Sequence, residues 1–278
     1  MSKYFYHTLV ALCFSVISPI AAHAQSHPEQ ERPISSTNSG MNERVVNVPL
    51  REGGSVRVLF CAPARPRAIL IMLPGGAGDI GLGQDGSIRH GNNFVVRTRG
   101  LWSQRHYAVL IPDTLNHANI RGYRNSTSYA RVIEELLMFA HKEGTAPIFL
   151  FGTSQGAIAA ANGAAHASPD TLAGVVLSEA VSVMGGSKET VFSAPLQDIH
   201  APVLIVANQS DRCNVAPPQN ADRIAASLTG SPDVQVLRVM GGLTQSKKTC
   251  GSLSPHGYFG IEDDVIAKIS AWIETELR

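Results

Sequence analysis

Hydrophobic positions along this chain fall into two alternating kinds of segment. "AILIML" (68–73), "YAVLIP" (107–112), "PIFLF" (147–151), "GVVL" (174–177) and "PVLIVAN" (202–208) are almost continuously apolar. Runs of that length are expected of strands buried on both faces. Between them, "STSYARVIEELLMFAHKE" (126–143) places Val132, Leu136 and Phe139 at i, i+4 and i+7, behind a Ser suited to capping. That spacing predicts a helix. Helices are also predicted over 93–105, from Gln155, over 217–228 and near 261–277, with a further strand at 234–239. Ahead of the series, "RVVNVPL" (44–50) and "SVRVLFC" (55–61) flank Glu52-Gly53-Gly54 and predict a hairpin. Strands alternating with helices predict an α/β fold, with a mostly parallel central sheet, right-handed crossovers, helices on both faces and an antiparallel N-terminal edge. Functional groups in such sheets collect outside the carboxyl ends of the strands.

The first residues break this pattern. Lys3, an apolar stretch from Leu9 to Ile20 and the small-residue site Ala22-His23-Ala24 predict a signal peptide over 1–24. The apolar stretch is too short to stay in a bilayer. Leu12 before Cys13 is too bulky for a lipoprotein signal. Residues 25–43, rich in Ser, Pro and Glu, predict a flexible leader, and 44–278 a single domain in a secreted or periplasmic protein. With 278 residues, 44% of them hydrophobic and 16% charged, the chain can fill one such core. A net charge of +1 argues against a nucleic-acid partner or a charged membrane surface. The pattern carries no signal for oligomeric state. Cys61, Cys213 and Cys250 remain after cleavage, so one pair is expected to bridge and one thiol to be left over. No C-x-x-C is present, which removes the usual basis for a zinc or redox site.

One pentapeptide carries the candidate chemistry. Gly152-Thr153-Ser154-Gln155-Gly156 fits G-x-S-x-G and falls where a buried strand hands over to a small-residue helix. A turn that tight lifts Ser Oγ clear of the sheet and leaves no room for side chains two positions away. The helix start beneath it favours developing negative charge. The Gly-rich loop after 68–73 also matches G-x-G-x-x-G twice, at Gly76–Gly81 and Gly81–Gly86. No helix opens there and no acid follows in 98–105, so a dinucleotide site is not expected, nor any other cofactor.

With its placement, the pentapeptide makes the chain resemble the α/β-hydrolase superfamily of serine esterases and lipases over about 44–278, and the order Ser…Asp…His supports the resemblance. The resemblance implies a Ser154, His256, Asp211 triad, with His256 in "SPHGYFG" as base and Asp211 after "PVLIVANQS" as acid. Glu179 and Asp113 also end strands and compete for the acid role. His106, His117, His166 and His200 are expected to be structural or surface residues. "LPGGAGDIG" (73–81) stands where the family places half of its oxyanion hole, implying the Gly76 N–H as one donor, with Ala77 as the close alternative, and the Gln155 N–H as the other. Cys213 and Cys250, close in sequence to the implied acid and base, are then the pair expected to bridge, with Cys61 in the core. The segment between 177 and 202 is too short for a full helical lid. Arg121 and Arg124 are read as solvated loop charges. With the signal peptide that the first residues predict, the resemblance implies an exported enzyme acting on small ester-like molecules through an acyl-enzyme. An amidase or peptidase, or a catalytically silent binding protein, stands as the alternative.

Overall fold

In the computed structural model, Met1, the backbone of Arg32–Pro33 and residues 42–278 are described. Apart from Met1, the expected signal peptide lies outside them, and so does the expected leader apart from Arg32–Pro33 and its last two residues, Asn42 and Glu43. The antiparallel edge is formed by β1 (Arg32–Pro33), β2 (Asn42–Pro49) and β3 (Ser55–Ala62). β4 (Ala68–Leu73), β5 (Tyr107–Pro112), β6 (Ile148–Thr153), β7 (Gly174–Ser178), β8 (Val203–Asn208) and β9 (Val234–Val239) follow. The nine strands lie in the order β1-β2-β3-β5-β4-β6-β7-β8-β9. Every pairing from β5 to β9 is parallel, and β3 meets β5 antiparallel.

The pleat explains why the central strands are apolar throughout. Successive side chains point to opposite faces, and both faces are covered. Ile69, Ile71 and Leu73 of β4 pack on one side with Ile133, Leu136 and Leu137 of α3 (Thr127–Glu143) and with the alanines of α4 (Gln155–His166). Ala68, Leu70 and Met72 pack on the other, with Phe94 of α1 (Phe94–Arg97), Trp102 of α2 (Arg99–Gln104) and Ile266 and Ile269 of α6 (Glu262–Glu276). The small residues of α4 have a specific cause. A Cβ on Gly163 would lie 2.5 Å from the Ile133 side chain, so α3 and α4 can approach this closely only over a bare backbone. Ser126 caps α3 as its sequence predicts, accepting the Tyr129 N–H.

Two helices differ from expectation. The segment 93–105 divides into α1 and α2 at Thr98, whose hydroxyl and N–H both bond to the Phe94 carbonyl. The hydroxyl thereby shares a carbonyl with the helical ladder, and such back-bonding bends a helix. The segment 217–228 opens as a 3-10 turn at Pro218–Asn220, directly after Pro217, and becomes α5 only at Ala221–Ser227. Prolines lack the N–H that a longer helix would need. Between β7 and β8 there are only 3-10 turns, Val191–Ser193 and Leu196–Asp198, and no lid helix. Among the described residues, no helix is long and apolar enough to cross a membrane.

Candidate active site

β6 delivers Ser154 to the carboxyl edge of the sheet. Its backbone sits at φ 57°, ψ −120°, a conformation that L-residues rarely adopt, and is held by its N–H on the Ser178 carbonyl at 2.8 Å. The flanking glycines make this turn geometrically feasible. A Cβ on Gly156 would fall 2.1 Å from the Leu73 oxygen, and one on Gly152 would fall 2.3 Å from the Gly156 oxygen.

Asp211 and His256 reach Ser154 from two later loops. His256 Nε2 lies 2.9 Å from Ser154 Oγ, and its Nδ1 lies 2.7 Å from Asp211 Oδ2. With Nδ1 carrying the proton for Asp211, Nε2 presents a lone pair to the Ser hydroxyl. Asp211 and His256 are buried while Ser154 is partly open, so the arrangement can move a proton from an accessible hydroxyl to a sheltered base. Burial pushes the Asp211 carboxyl up. The hydrogen bond and charge of His256, with Glu179 and the Cys213 N–H, outweigh it and leave the group below its ordinary value.

Asn208, which nothing in the sequence pattern singled out, sets the distance between these loops. It is fully buried at the end of β8. Its Nδ2 donates to the carbonyls of Gly241 after β9 and of Pro255 beside His256, both at 2.9 Å, and its Oδ1 accepts the Ser210 N–H. The only hint was a polar residue closing an otherwise apolar run. Ser254 steadies the other side by accepting the His256 N–H.

Cys213 and Cys250 form a disulfide, with Cα atoms 4.6 Å apart across 37 residues of sequence. Cys61 is free and buried, and burial pushes its thiol well up. The bridge closes the acid loop onto the loop leading to His256. Chain-entropy reasoning puts its contribution at roughly 3–4 kcal/mol. Reduction should therefore lower the denaturant midpoint by a corresponding amount and raise hydrogen exchange at 211–214 and 249–256 before global unfolding. An unchanged midpoint after complete reduction would refute this role.

The loop after β4 passes directly against Ser154, since a Cβ on Gly75 would meet Ser154 Cβ at 3.1 Å. Among the described residues, none accepts the N–H groups of Gly76, Ala77 or Gln155. Arg124 departs from its sequence reading. It is 1% exposed, and its Nη2 donates to the carbonyls of Pro74 and Gly76 at 3.2 and 3.1 Å. A solvated charge it is not: it anchors the loop from behind. Arg121 is exposed as expected, its guanidinium reaching 3.5 Å from where a Gly76 Cβ would lie.

The competing candidates are occupied elsewhere or differently. Asp113 accepts the N–H groups of Ile80, Leu82 and Thr114 at 2.7–2.8 Å and so folds the β4 loop. With Asp79 and His117 it brings ligand atoms within 4.8 Å of one another, as do Glu179, Asp211 and His256. His166 and His200 bond to backbone carbonyls, and His106 follows α2 at a left-handed φ of 64°. Glu179 sits beside Asp211, yet the imidazole bonds to Asp211.

No protein-family model and no curated protein sequence matches the chain. Solved structures do. A dienelactone hydrolase from Anabaena variabilis is similar at TM-score 0.58 and 17% identity, over 86% of this chain and 100% of that one. An esterase from Pyrococcus furiosus is similar at 0.54 and 12%, over 72% and 83%. The acylaminoacyl peptidase of Pyrococcus horikoshii is similar at 0.59 and 11%, over 87% of this chain but 42% of that longer one. The fold they share with this chain is the α/β-hydrolase fold.

Proposed function

We propose that this chain, an α/β-hydrolase by fold, is an exported serine hydrolase that cleaves carboxylic esters of small molecules through an acyl-enzyme. The observation that carries the reading is the unbroken hydrogen-bonded line from Asp211 through His256 to Ser154 Oγ, on a turn held at positive φ. Ser154 Oγ attacks the ester carbonyl as His256 Nε2 takes its proton, and Asp211 stabilises the imidazolium. The oxyanion is received by the Gln155 N–H and by an N–H of the β4 loop, Gly76 or Ala77, each worth about 3 kcal/mol in the transition state. His256 then protonates the leaving alcohol, and water repeats the sequence on the acyl-enzyme. The disulfide beside the acid is in keeping with the export that the N-terminal sequence predicts.

An amidase or peptidase is the second reading, favoured by the likeness to an acylaminoacyl peptidase. A fluorophosphonate probe should label Ser154 in the folded protein and not after denaturation, which a silent binding protein would not permit. Ester turnover should exceed that of the matched amide. Absence of labelling would overturn the hydrolase reading, and faster amide turnover would overturn the ester preference.

A further inference from the structure

Behind the triad lies a second buried carboxyl that the mechanism does not use. Glu179 follows β7 at a left-handed φ of 44° and is 2% exposed. Its Oε1 accepts the Asn208 N–H at 2.6 Å. Its Oε2 is buried and accepts no hydrogen bond from the described residues. A carboxyl oxygen of Glu179, one of Asp211 and a ring nitrogen of His256 all lie within 4.8 Å of one another. The other titratable neighbour is Tyr258, whose hydroxyl pairs with Ser178 Oγ at 2.7 Å. No arginine or lysine forms an ion pair with Glu179 among the described residues.

Two buried carboxylates repel each other at such distances, and a single imidazole can offset only one of them. Like charges a few ångströms apart share a proton, and the carboxyl without a cationic partner keeps it. Asp211 has His256 as that partner, and Glu179 has none. Burial, followed by the hydrogen bond and charge of Asp211, pushes the Glu179 carboxyl well above its ordinary range, against smaller opposing contributions from Tyr258 and the Asn208 N–H. An oxygen that accepts nothing then becomes an O–H that donates. Asp211 has lone pairs left to receive it, since among the described residues only the His256 ring and the Cys213 N–H donate to its oxygens.

We propose that Glu179 is a neutral carboxylic acid that donates a hydrogen bond to Asp211, a positioning residue that fixes the acid's orientation and tempers its basicity. This rests on the hydrolase reading above. A hydrogen bond onto Asp211 draws charge from the carboxylate and weakens its hold on the imidazolium proton. Removing the donor therefore raises the pH at which His256 becomes a base.

Two substitutions separate this from an ionised Glu179. Glu179→Met removes the donor. It should lower kcat about tenfold at neutral pH, with KM near the parent's, and move the rising limb of kcat/KM upward by about half a pH unit or more. Glu179→Gln keeps a donor for Asp211 and an acceptor for Asn208. It should restore kcat to within about threefold of the parent and return the limb to its place. Had Glu179 been ionised, Glu179→Gln would delete a negative charge beside the imidazole, and the limb would move down instead. A downward shift in Glu179→Gln, or an unaltered limb and kcat in Glu179→Met, overturns the proposal.

A third measurement needs neither turnover nor a variant. NMR of the parent with isotope-labelled glutamate carboxyls should show a protonated carboxyl at neutral pH. A spectrum with every glutamate ionised refutes the proposal, whatever becomes of the hydrolase reading.

Discussion

Replacing Ser154 with Ala should reduce kcat for an activated ester by on the order of 10⁴-fold or more, while thermal unfolding stays within a few degrees of the parent. Ala takes up the same strained backbone at no greater steric cost than Ser, so the turn should persist. What disappears is the one hydroxyl aligned with His256 Nε2. Neighbouring hydroxyls are poor substitutes. Ser178 Oγ is buried against the Tyr258 hydroxyl, and Thr153 Oγ1 is buried with no hydrogen-bond partner among the described residues. Residual activity would come from the oxyanion donors and binding alone. Turnover within tenfold of the parent would mean that the nucleophile lies elsewhere.

The second large effect concerns the groups behind it. His256→Ala should cost as much as losing the nucleophile, because the two act as a unit. It should also abolish the single rising limb of kcat/KM, along which the imidazole gives up its proton to become a base. Asp211→Asn should lower kcat by roughly 10⁴-fold through the wrong ring tautomer. That limb cannot be assigned to Asp211, which is held below the ordinary carboxylate range. The sign for stability follows. A carboxyl whose folded pKa is depressed stabilises the protein fully above its unfolded pKa, and the contribution fades as pH falls through the folded value. Asp211→Asn should accordingly flatten the loss of stability on acidification. A limb that survives His256→Ala, or a Glu179→Gln loss exceeding that of Asp211→Asn, would mean that the roles are misassigned.

The parts of this fold legible in sequence are those fixed by local pattern. β4, β5 and β9 lie where their apolar or alternating runs end, and α3 starts after the Ser that caps it. Ser154 was legible because its signal is a strand, a pentapeptide and a helix in immediate succession. Asp211 and His256 were reached only through the family resemblance, and the fold brings them together across 45 residues of sequence. Asn208, Arg124 and the setting of Glu179 were not legible, for one reason. Each depends on which distant carbonyl, N–H or carboxyl lies opposite, and a single sequence does not contain that information. Arg124 shows the difficulty. Its neighbours Tyr123 and Asn125 are exposed, so nothing local marked the guanidinium between them as buried.

The place of that guanidinium bears on how the β4 loop can act as a donor. Burial lowers the Arg124 pKa, yet an arginine remains protonated in a folded protein. Its cationic end rests on the Gly76 carbonyl, and the peptide that begins with this carbonyl ends in the Ala77 N–H. A peptide is one conjugated, polarisable group, with its C=O and N–H pointing in opposite directions in the trans form. Drawing electron density toward the oxygen leaves the hydrogen at the far end more positive, as in any chain of cooperative hydrogen bonds. The Gly76–Ala77 amide thus carries part of a full positive charge to the Ala77 N–H. The arginine itself stays sealed in the interior, where a carboxylate in solvent cannot pair with it.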